Sequence, residues 1–372
     1  MDVDPQEMEA CRGGAGGVMR SINRILVVQT AFIGDVILTL PLIQTLKEFF
    51  PQAEVDVVLV PRAAEICRNH PAIDRIIEYD KNGKDKGLAG FRRIVRTLRE
   101  REYQIAVVPH RSLRSSSLAF LSRIPLRVGF GKGGGRSLLN KRVPYDSGIH
   151  EIERNLSLLA GIGIRDFGKV LPKVYPSAAD QSRASEIISG IPAERRTKLI
   201  AVAPGTIWNT KRWLKERFAE LIAIVVDEGF GVVLVGGKED AGLCGEILDQ
   251  ANRSFVINTA GTLSLLESAE LIRRCLLTLS NDSAPMHLSV ATGTPVVAIF
   301  GATVPSFGFA PYGPHDSVVE THGLTCRPCS IHGGAECPIK TFDCMVQITS
   351  DRVFSRMMAV LEKSGRATSD PG

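Results

Sequence analysis

A helix that opens on proline directly behind a buried strand turns unpaired backbone N–H groups toward whatever lies beyond that strand. Residues 276–303, LLTLSNDSAPMHLSVATGTPVVAIFGAT, have this form. An apolar run at 276–279 is followed by a polar turn at 280–284, a short helix opened by Pro285 and a second apolar run at 295–300. The pattern reads as a βαβ unit, and Asp282 and Ser283 occupy its turn, so a phosphorylated ligand is expected there. The structural alternative is that Asp282 or Ser283 does no more than cap the helix. Two other loops carry matching chemistry. In 204–213, PGTIWNTKRW, Thr206 offers a hydroxyl and Lys211 or Arg212 a cation for phosphate. In 235–240, VGGKED, two glycines allow close backbone approach and Glu239 suits ribose hydroxyls. Jointly these loops outline a nucleotide-diphosphate site. Far earlier, Gly34 permits a tight turn and Asp35 opens a helix, which puts a carboxylate at the end of the strand at 24–29.

Cys326, Cys329, Cys337 and Cys344 form C-x2-C-x7-C-x6-C, compact enough for a structural zinc or an iron–sulfur cluster, with free or redox-active thiols as the alternative. Cys11, Cys67, Cys244 and Cys275 read as buried or incidental. The glycine-rich 129–135, GFGKGGG, lacks the helix that a dinucleotide fingerprint must lead into, so it reads as a flexible loop within reach of substrate. His110 and His150 read as surface or packing residues, with tuning of acceptor binding as the alternative.

The elements that must position these residues alternate. Strand-like runs fall at 24–29, 55–60, 76–79, 105–109 and 127–130, with helical periodicity at 63–69, 88–101, 113–122 and 151–161. Pro41 should kink the helix that begins at Asp35. A linker at 167–177 contains Pro172 and Pro176. A second series follows, with strands at 199–203, 232–235, 255–258, 276–279 and 295–300 and helices at 179–189, 214–228, 240–250, 264–273 and 285–291. The pattern predicts two α/β domains, each a parallel sheet wrapped by helices, with strand ends facing a shared cleft. The expected divisions are a loose tail at 1–20, a first domain at 21–175, a second at 176–350, and a last helix and tail at 351–372 whose helix crosses back to the first domain.

A chain of 372 residues suits two cores, and 44% apolar content fits a globular protein. The first twenty residues are not a signal peptide, and no apolar run is long enough for a transmembrane helix, so a cytoplasmic location with reduced cysteines is expected. Net charge is +5 but uneven: residues 1–175 hold 27 Lys and Arg against 19 Asp and Glu. Between Tyr103 and Tyr145, Arg111, Arg114, Arg123, Arg127, Lys132, Arg136, Lys141 and Arg142 occur with no acid. Such a run attracts a polyanion or an anionic membrane surface. Few aromatics interleave with it, which disfavours nucleic acid.

Gly34-Asp35 followed by Thr39 and Pro41, then Lys211-Arg212-Trp213, Gly237-Lys238-Glu239, and 281–287 leading to Gly293-Thr294-Pro295 occur in that order over about residues 22–358. In these motifs the chain resembles the bacterial ADP-heptose:lipopolysaccharide heptosyltransferases, inverting glycosyltransferases of the GT-B fold, and is most similar to the heptosyltransferase II type. The resemblance implies two Rossmann-like domains facing a central cleft. It implies that Asp35 is the general base and Lys211 stabilises the departing diphosphate. Gly34, Thr206, Glu239, Leu263, Asp282, Ser283, Ala284 and His287 are the implied donor-binding positions, Glu239 holding the ribose and Leu263 lying near the adenine. Ala284 departs from the glycine of some relatives. Acceptor contacts are expected at Arg62, Arg111 and Arg114, which would meet the phosphorylated lipopolysaccharide core at the cytoplasmic face of the inner membrane.

With no Asp-x-Asp pair placed on the diphosphate, transfer is expected to need no metal. Two rivals share parts of this pattern. A nucleotide-sugar epimerase of the same two-domain plan would use the donor cleft without a glycolipid, and a non-catalytic glycolipid-binding protein would need the basic segment but not Asp35.

Overall fold

The computed structural model describes residues 22–366, so the tail expected at 1–20, and Cys11 within it, lie outside the described residues. The first lobe runs β1 (Arg24–Gln29), α1 (Ile33–Ile37), α2 (Leu40–Phe49), β2 (Glu54–Leu59), α3 (Pro61–Ala64), β3 (Arg75–Glu78), α4 (Gly87–Glu100), β4 (Ile105–Val108), α5 (Leu113–Leu121), β5 (Leu126–Phe130), β6 (Lys141–Val143) and α6 (Glu151–Ser157). The second runs α7 (Ala178–Ser189), β7 (Leu199–Ala203), α8 (Lys215–Asp227), β8 (Gly231–Leu234), α9 (Ala241–Ala251), β9 (Val256–Asn258), α10 (Leu265–Arg273), β10 (Leu277–Asn281), α11 (Ala284–Thr292), β11 (Val296–Phe300), β12 (Ser317–Glu320), α12 (Asp343–Val346) and α13 (Ser350–Lys363).

Each lobe holds a six-stranded, all-parallel sheet. The orders are β3-β2-β1-β4-β5-β6 and β9-β8-β7-β10-β11-β12, one topology used twice. Helices cover both faces, so inner strands such as β4, β7 and β11 are buried along their whole length and read as continuous apolar runs. In both sheets the order reverses between the first and fourth strands, which opens a crevice at the carboxyl ends of β1 and β4 and of β7 and β10. One apolar cluster extends from Ile25, Val36 and Leu40 in the first lobe to Leu199, Val233 and Leu288 in the second, so the lobes share a core face.

The structure departs from the sequence reading at four places that matter to the site. β6 and β12, both outermost strands, were not foreseen: β6 is KRV, short and largely exposed, and β12 is SVVE. Pro41 does not kink one long helix. It stands in the first turn of α2, while α1 stops at Ile37. The carbonyls freed by this break are taken by side chains, Asp35 O by the Thr39 hydroxyl at 2.7 Å and Leu38 O by Asn155 Nδ2 at 3.1 Å.

β10 runs on through Asn281, where a turn was expected. Asn281 is fully buried; its Oδ1 accepts the Trp213 N–H at 3.0 Å and its Nδ2 donates to Pro204 O at 2.9 Å. Two loop ends are thereby tied to the strand, and this holds it in extended form. Finally, α13 does not return to the first lobe by its apolar face. Val353, Met357, Val360 and Leu361 sit in the second lobe's own core.

Trp213 is the largest fully buried side chain beside the site, 1% exposed, with Nε1 donating to Ile348 O at 3.1 Å and its ring edge-on to Phe218. It pins the loop that carries Lys211. Trp213→Ala is expected to cost about 3–5 kcal/mol, read by urea unfolding, and a loss below about 1 kcal/mol would contradict this anchoring role.

Candidate functional site

In the second lobe, Lys211 closes a short 3-10 turn, Asn209–Lys211, in the loop after β7. Its Nζ lies 2.6 Å from Asp282 Oδ2, just past β10, and both side chains are largely buried, 15% and 7% exposed. Asp282 Oδ2 also accepts the Thr303 hydroxyl at 2.7 Å, from the loop after β11. Three loops therefore meet in one ion pair at the crevice. Lys211 retains two further ammonium protons for a ligand.

Behind Asp282, Ser283 stands at the N-cap of α11 with Ala284 and Pro285 in the first turn. Ser283 makes no side-chain cap hydrogen bond; its hydroxyl instead reaches Asn281 O at 3.4 Å. Simple capping is thus not what this turn does, and the start of α11 presents its positive end beside Lys211. His287, one turn on, is buried, and burial pulls its pKa down to about 3, with the charges of His150 and Lys211 adding to the shift. It is a neutral packing group rather than a cation facing ligand. A side-chain carbon at Gly34 would lie 3.2 Å from the His287 ring, so Gly34 lets α1 of the first lobe close onto α11 of the second.

That contact brings Asp35 to the cleft. Asp35 is half-buried in the first turn of α1 and its Oδ2 accepts the Phe32 N–H at 3.2 Å. Burial raises its carboxyl above the usual 3.8, opposed by the Phe32 hydrogen bond and by the charges of His332 and Lys211. The base candidate and the cation candidate therefore sense each other across the cleft. Glu151, at the start of α6, stands close by. Burial pushes it up to about 7, the Arg154 guanidinium opposes that, and the Asp35 charge adds to it. Glu151 pairs with Arg154, itself 1% exposed and donating to Tyr145 Oη at 2.9 Å.

The remaining predicted residues divide. Thr206 spends its hydroxyl on Trp208 O at 2.6 Å, and Arg212 donates to Thr206 O at 2.9 Å. Leu263 lies in the turn before α10, half-buried against the shared core. Arg62 and Glu239, predicted for acceptor and donor, meet each other across the lobes at 2.6 Å, both about two-thirds exposed. Arg111 stacks over Tyr145 at 4.0 Å, and Lys132 lies 5.4 Å from the same ring. Arg114 stands with Tyr79 and Lys81, whose ammonium it disfavours after burial has done so first. Lys81 Nζ in turn donates to Thr30 O at 2.7 Å, at the carboxyl end of β1. The basic run is not uniform, because Arg127 is consumed by the carbonyls of Leu138 and Ile124.

Sequence reasoning missed Glu151, Arg154 and His332. Only His332 left a signal, a glycine pair at 333–334 between two of the cysteines. His150, read as a packing residue, bridges the lobes: Nδ1 accepts the Ile152 N–H at 3.2 Å, Nε2 meets Ala310 O at 2.8 Å, and the ring stacks on Tyr312.

Cys326, Cys329, Cys337 and Cys344 are free thiols; burial raises the pKa of Cys329 and pushes Cys344 up to about 11, whereas at Cys337 backbone hydrogen bonds outweigh burial and lower it. Yet among the described residues no group of three or more His, Cys, Asp or Glu is placed to hold a metal ion. No helix among the described residues is long and apolar enough to cross a membrane.

The model of glycosyltransferase family 9 (heptosyltransferase) matches residues 91–339. Lipopolysaccharide heptosyltransferase 2 of Salmonella typhimurium is 29% identical over 293 residues, covering 76% of this chain and 84% of that protein. Lipooligosaccharide heptosyltransferase 2 of Haemophilus ducreyi is 30% identical over 305 residues, covering 76% and 85%. The solved structure of E. coli ADP-heptose lps heptosyltransferase II superposes with a TM-score of 0.76 at 27% identity, over 92% of this chain and 99% of that one. A UDP-GlcNAc 2-epimerase-like structure from Listeria monocytogenes, at 13% identity and TM-score 0.51, shares the fold alone. With two parallel-sheet lobes of GT-B form around an acid-and-lysine cleft, the chain belongs to glycosyltransferase family 9, the heptosyltransferase family.

Proposed function

We propose that this chain is an inverting glycosyltransferase that moves heptose from ADP-heptose to the inner core of lipopolysaccharide. The observation that carries the reading is the pairing across one cleft of a desolvated carboxylate, Asp35, with the buried Lys211–Asp282 pair and the start of α11. The similarity to heptosyltransferases of the second type supports the choice of sugar and acceptor.

The second lobe, 176–350, binds the donor. Lys211 and the first-turn amides of α11 take the diphosphate, with Thr206, Asp282, Ser283, Ala284 and His287 shaping that pocket. Glu239 takes the ribose, letting go of Arg62 to do so, and Leu263 packs the adenine. The first lobe, 21–175, binds the acceptor. Arg62, Arg111 and Arg114 meet its phosphates and carboxylates, and the same basic face rests on the anionic cytoplasmic surface of the inner membrane. Asp35 removes the proton from the acceptor hydroxyl as its oxygen attacks the anomeric carbon. The carbon–oxygen bond to the diphosphate breaks on the opposite face, and ADP leaves with its added charge held by Lys211 and α11. The donor's leaving group is thus stabilised by protein groups, with no divalent cation assigned a step.

Purified protein given ADP-heptose and a panel of truncated acceptors, followed by mass spectrometry, is expected to add one heptose unit. An ADP-sugar consumed equally fast without acceptor would instead favour epimerisation. Asp35→Ala should lower transfer by about 10²–10⁴-fold while ADP-sugar affinity stays within a few-fold, and retained turnover removes Asp35 as the base. Lys211→Ala should weaken donor binding and also lower kcat by about 10²-fold, so unchanged kinetics would count against the diphosphate role.

The pH dependence follows from the same carboxylate. Asp35 must be ionised to act, and burial raises its pKa above the usual 3.8. Activity therefore falls as pH drops through that raised value, and the acidic limb of the kcat/KM profile lies above the range of an exposed aspartate. A limb at or below 3.8 would show that another group is titrating.

A further inference from the structure

Between Cys329 and Cys337 the segment 330–334, SIHGG, packs against the loop that carries Lys211, Gly334 on Thr210 and Gly333 on Lys211 itself, a contact the transfer scheme does not use. We propose that His332 is a substrate-contacting residue that donates a hydrogen bond to the diphosphate of the bound nucleotide sugar, an assignment that rests on the ADP-sugar reading of the cleft.

The loop is built from both sides to hold that residue. At its root, Arg327 donates to Thr321 O and Thr303 O, both at 2.7 Å, and the Cys329 N–H donates to Ala302 O at 2.9 Å. Thr303 is also the residue whose hydroxyl binds Asp282, so the loop grows from the turn that holds the ion pair. On the far side, Thr210, 2% exposed, exchanges two hydrogen bonds with Gly334. The Thr210 N–H donates to Gly334 O at 3.1 Å and Thr210 Oγ1 accepts the Gly334 N–H at 2.7 Å. The tip is closed by Ser330, whose Oγ accepts the N–H of His332 at 3.3 Å and of Gly333 at 2.8 Å and donates to Gly333 O at 2.9 Å.

Gly333 fixes the register against Lys211. Its φ is 85°, and a Cβ there would lie 2.9 Å from Lys211 Cγ and 3.0 Å from Cδ. Only glycine fits, in conformation and in space. His332 is therefore the residue next to the one that packs on the lysine's methylenes. Its ring is exposed and, among the described residues, has no hydrogen-bond partner. Its charge is felt at Asp35 ahead of that of Lys211. A loop needed only for packing would require Ser330, Gly333 and Gly334 but no imidazole at 332. A donor in a loop packed on the leaving-group lysine lies beside the diphosphate that this lysine would hold, and phosphate oxygens are the acceptors expected there.

The test uses the full chain with His332→Ala and His332→Gln, and Ile331→Ala, an exposed neighbour, as control. ADP is titrated calorimetrically, and steady-state rates are taken with ADP-heptose and acceptor varied in turn. His332→Ala is expected to raise the Kd of ADP and the KM for ADP-heptose about 10-fold, leaving the acceptor KM unmoved. His332→Gln, which keeps an N–H donor, recovers part of the loss, and Ile331→Ala behaves as wild type. Should His332→Ala lower the melting temperature, the comparison is made on His332→Gln, whose loss of ADP affinity then decides. Donor KM and ADP affinity within two-fold of wild type would overturn the assignment, as would a loss confined to the acceptor KM. A wild-type chain that binds ADP but transfers no heptose overturns the transfer reading and leaves the ADP titration to decide this one.

Discussion

A lysine ammonium buried beside a single aspartate sets the terms for everything around it. Lys211 and Asp282 are held 2.6 Å apart at the place where the second sheet reverses its strand order. Breaking such a pair by removing one partner costs about 3–5 kcal/mol, because the other charge is left unpaired in a poor solvent. The surrounding chain is arranged so that neither partner can drift. Trp213 anchors the loop behind Lys211, Asn281 ties that loop's two ends to β10, and Thr303 supplies the second hydrogen bond to Asp282. None of these three residues has to touch a ligand. Each confines where the ammonium can point.

The second constraint is the contact between lobes. In a two-lobe enzyme the distance between reacting groups is set by how the lobes meet, and here they meet through helix ends rather than through a hinge alone. Gly34 admits the His287 ring, His150 reaches Ala310, and the Tyr312 hydroxyl donates to Glu153 at 2.9 Å. Burial lowers the pKa of both histidines, His287 to about 3, so these joints disfavour added positive charge. The exposed Arg62–Glu239 bridge is of a different kind. With about two-thirds of each side chain in water, it contributes at most about 1 kcal/mol and is easily surrendered to a ligand.

How much of this could be read from the residues alone follows from how each is held. Inner strands were legible because a strand buried on both faces must be apolar throughout, whereas β6 and β12, at the outer edges, carry no such demand. The places of Asp35, Lys211 and Asp282 in the fold were legible because each stands where a strand gives way to a loop or helix. Glu151 was not, since its importance lies in being driven beside Asp35 by a fold contact between residues over a hundred positions apart. The same holds for the pairing of Arg62 with Glu239: each was found in its own loop, but nothing in either loop says that the two meet. The cysteine spacing was a local pattern too, and spacing alone does not say how four thiols stand to one another in space.

The electrostatics of the cleft explain why an acid and a lysine can share it without cancelling. Left to themselves, Asp35 and Lys211 would pair, and a carboxylate paired to an ammonium is held low in pKa and makes a poor base. Asp282 removes that possibility by occupying Lys211 first. Lys211 then acts on Asp35 only at a distance, the weakest of the influences that lower its pKa, while burial raises it. At Glu151 burial pushes the carboxyl up to about 7 and the Asp35 charge adds to the shift, so it is partly protonated at neutral pH and brings less negative charge to that wall than an ordinary glutamate would. Under the proposed transfer, the raised carboxylate stands on the wall where a proton is taken and the ammonium on the wall where a diphosphate leaves. A displacement in which attack and departure occur on opposite faces of the sugar is the outcome this separation favours.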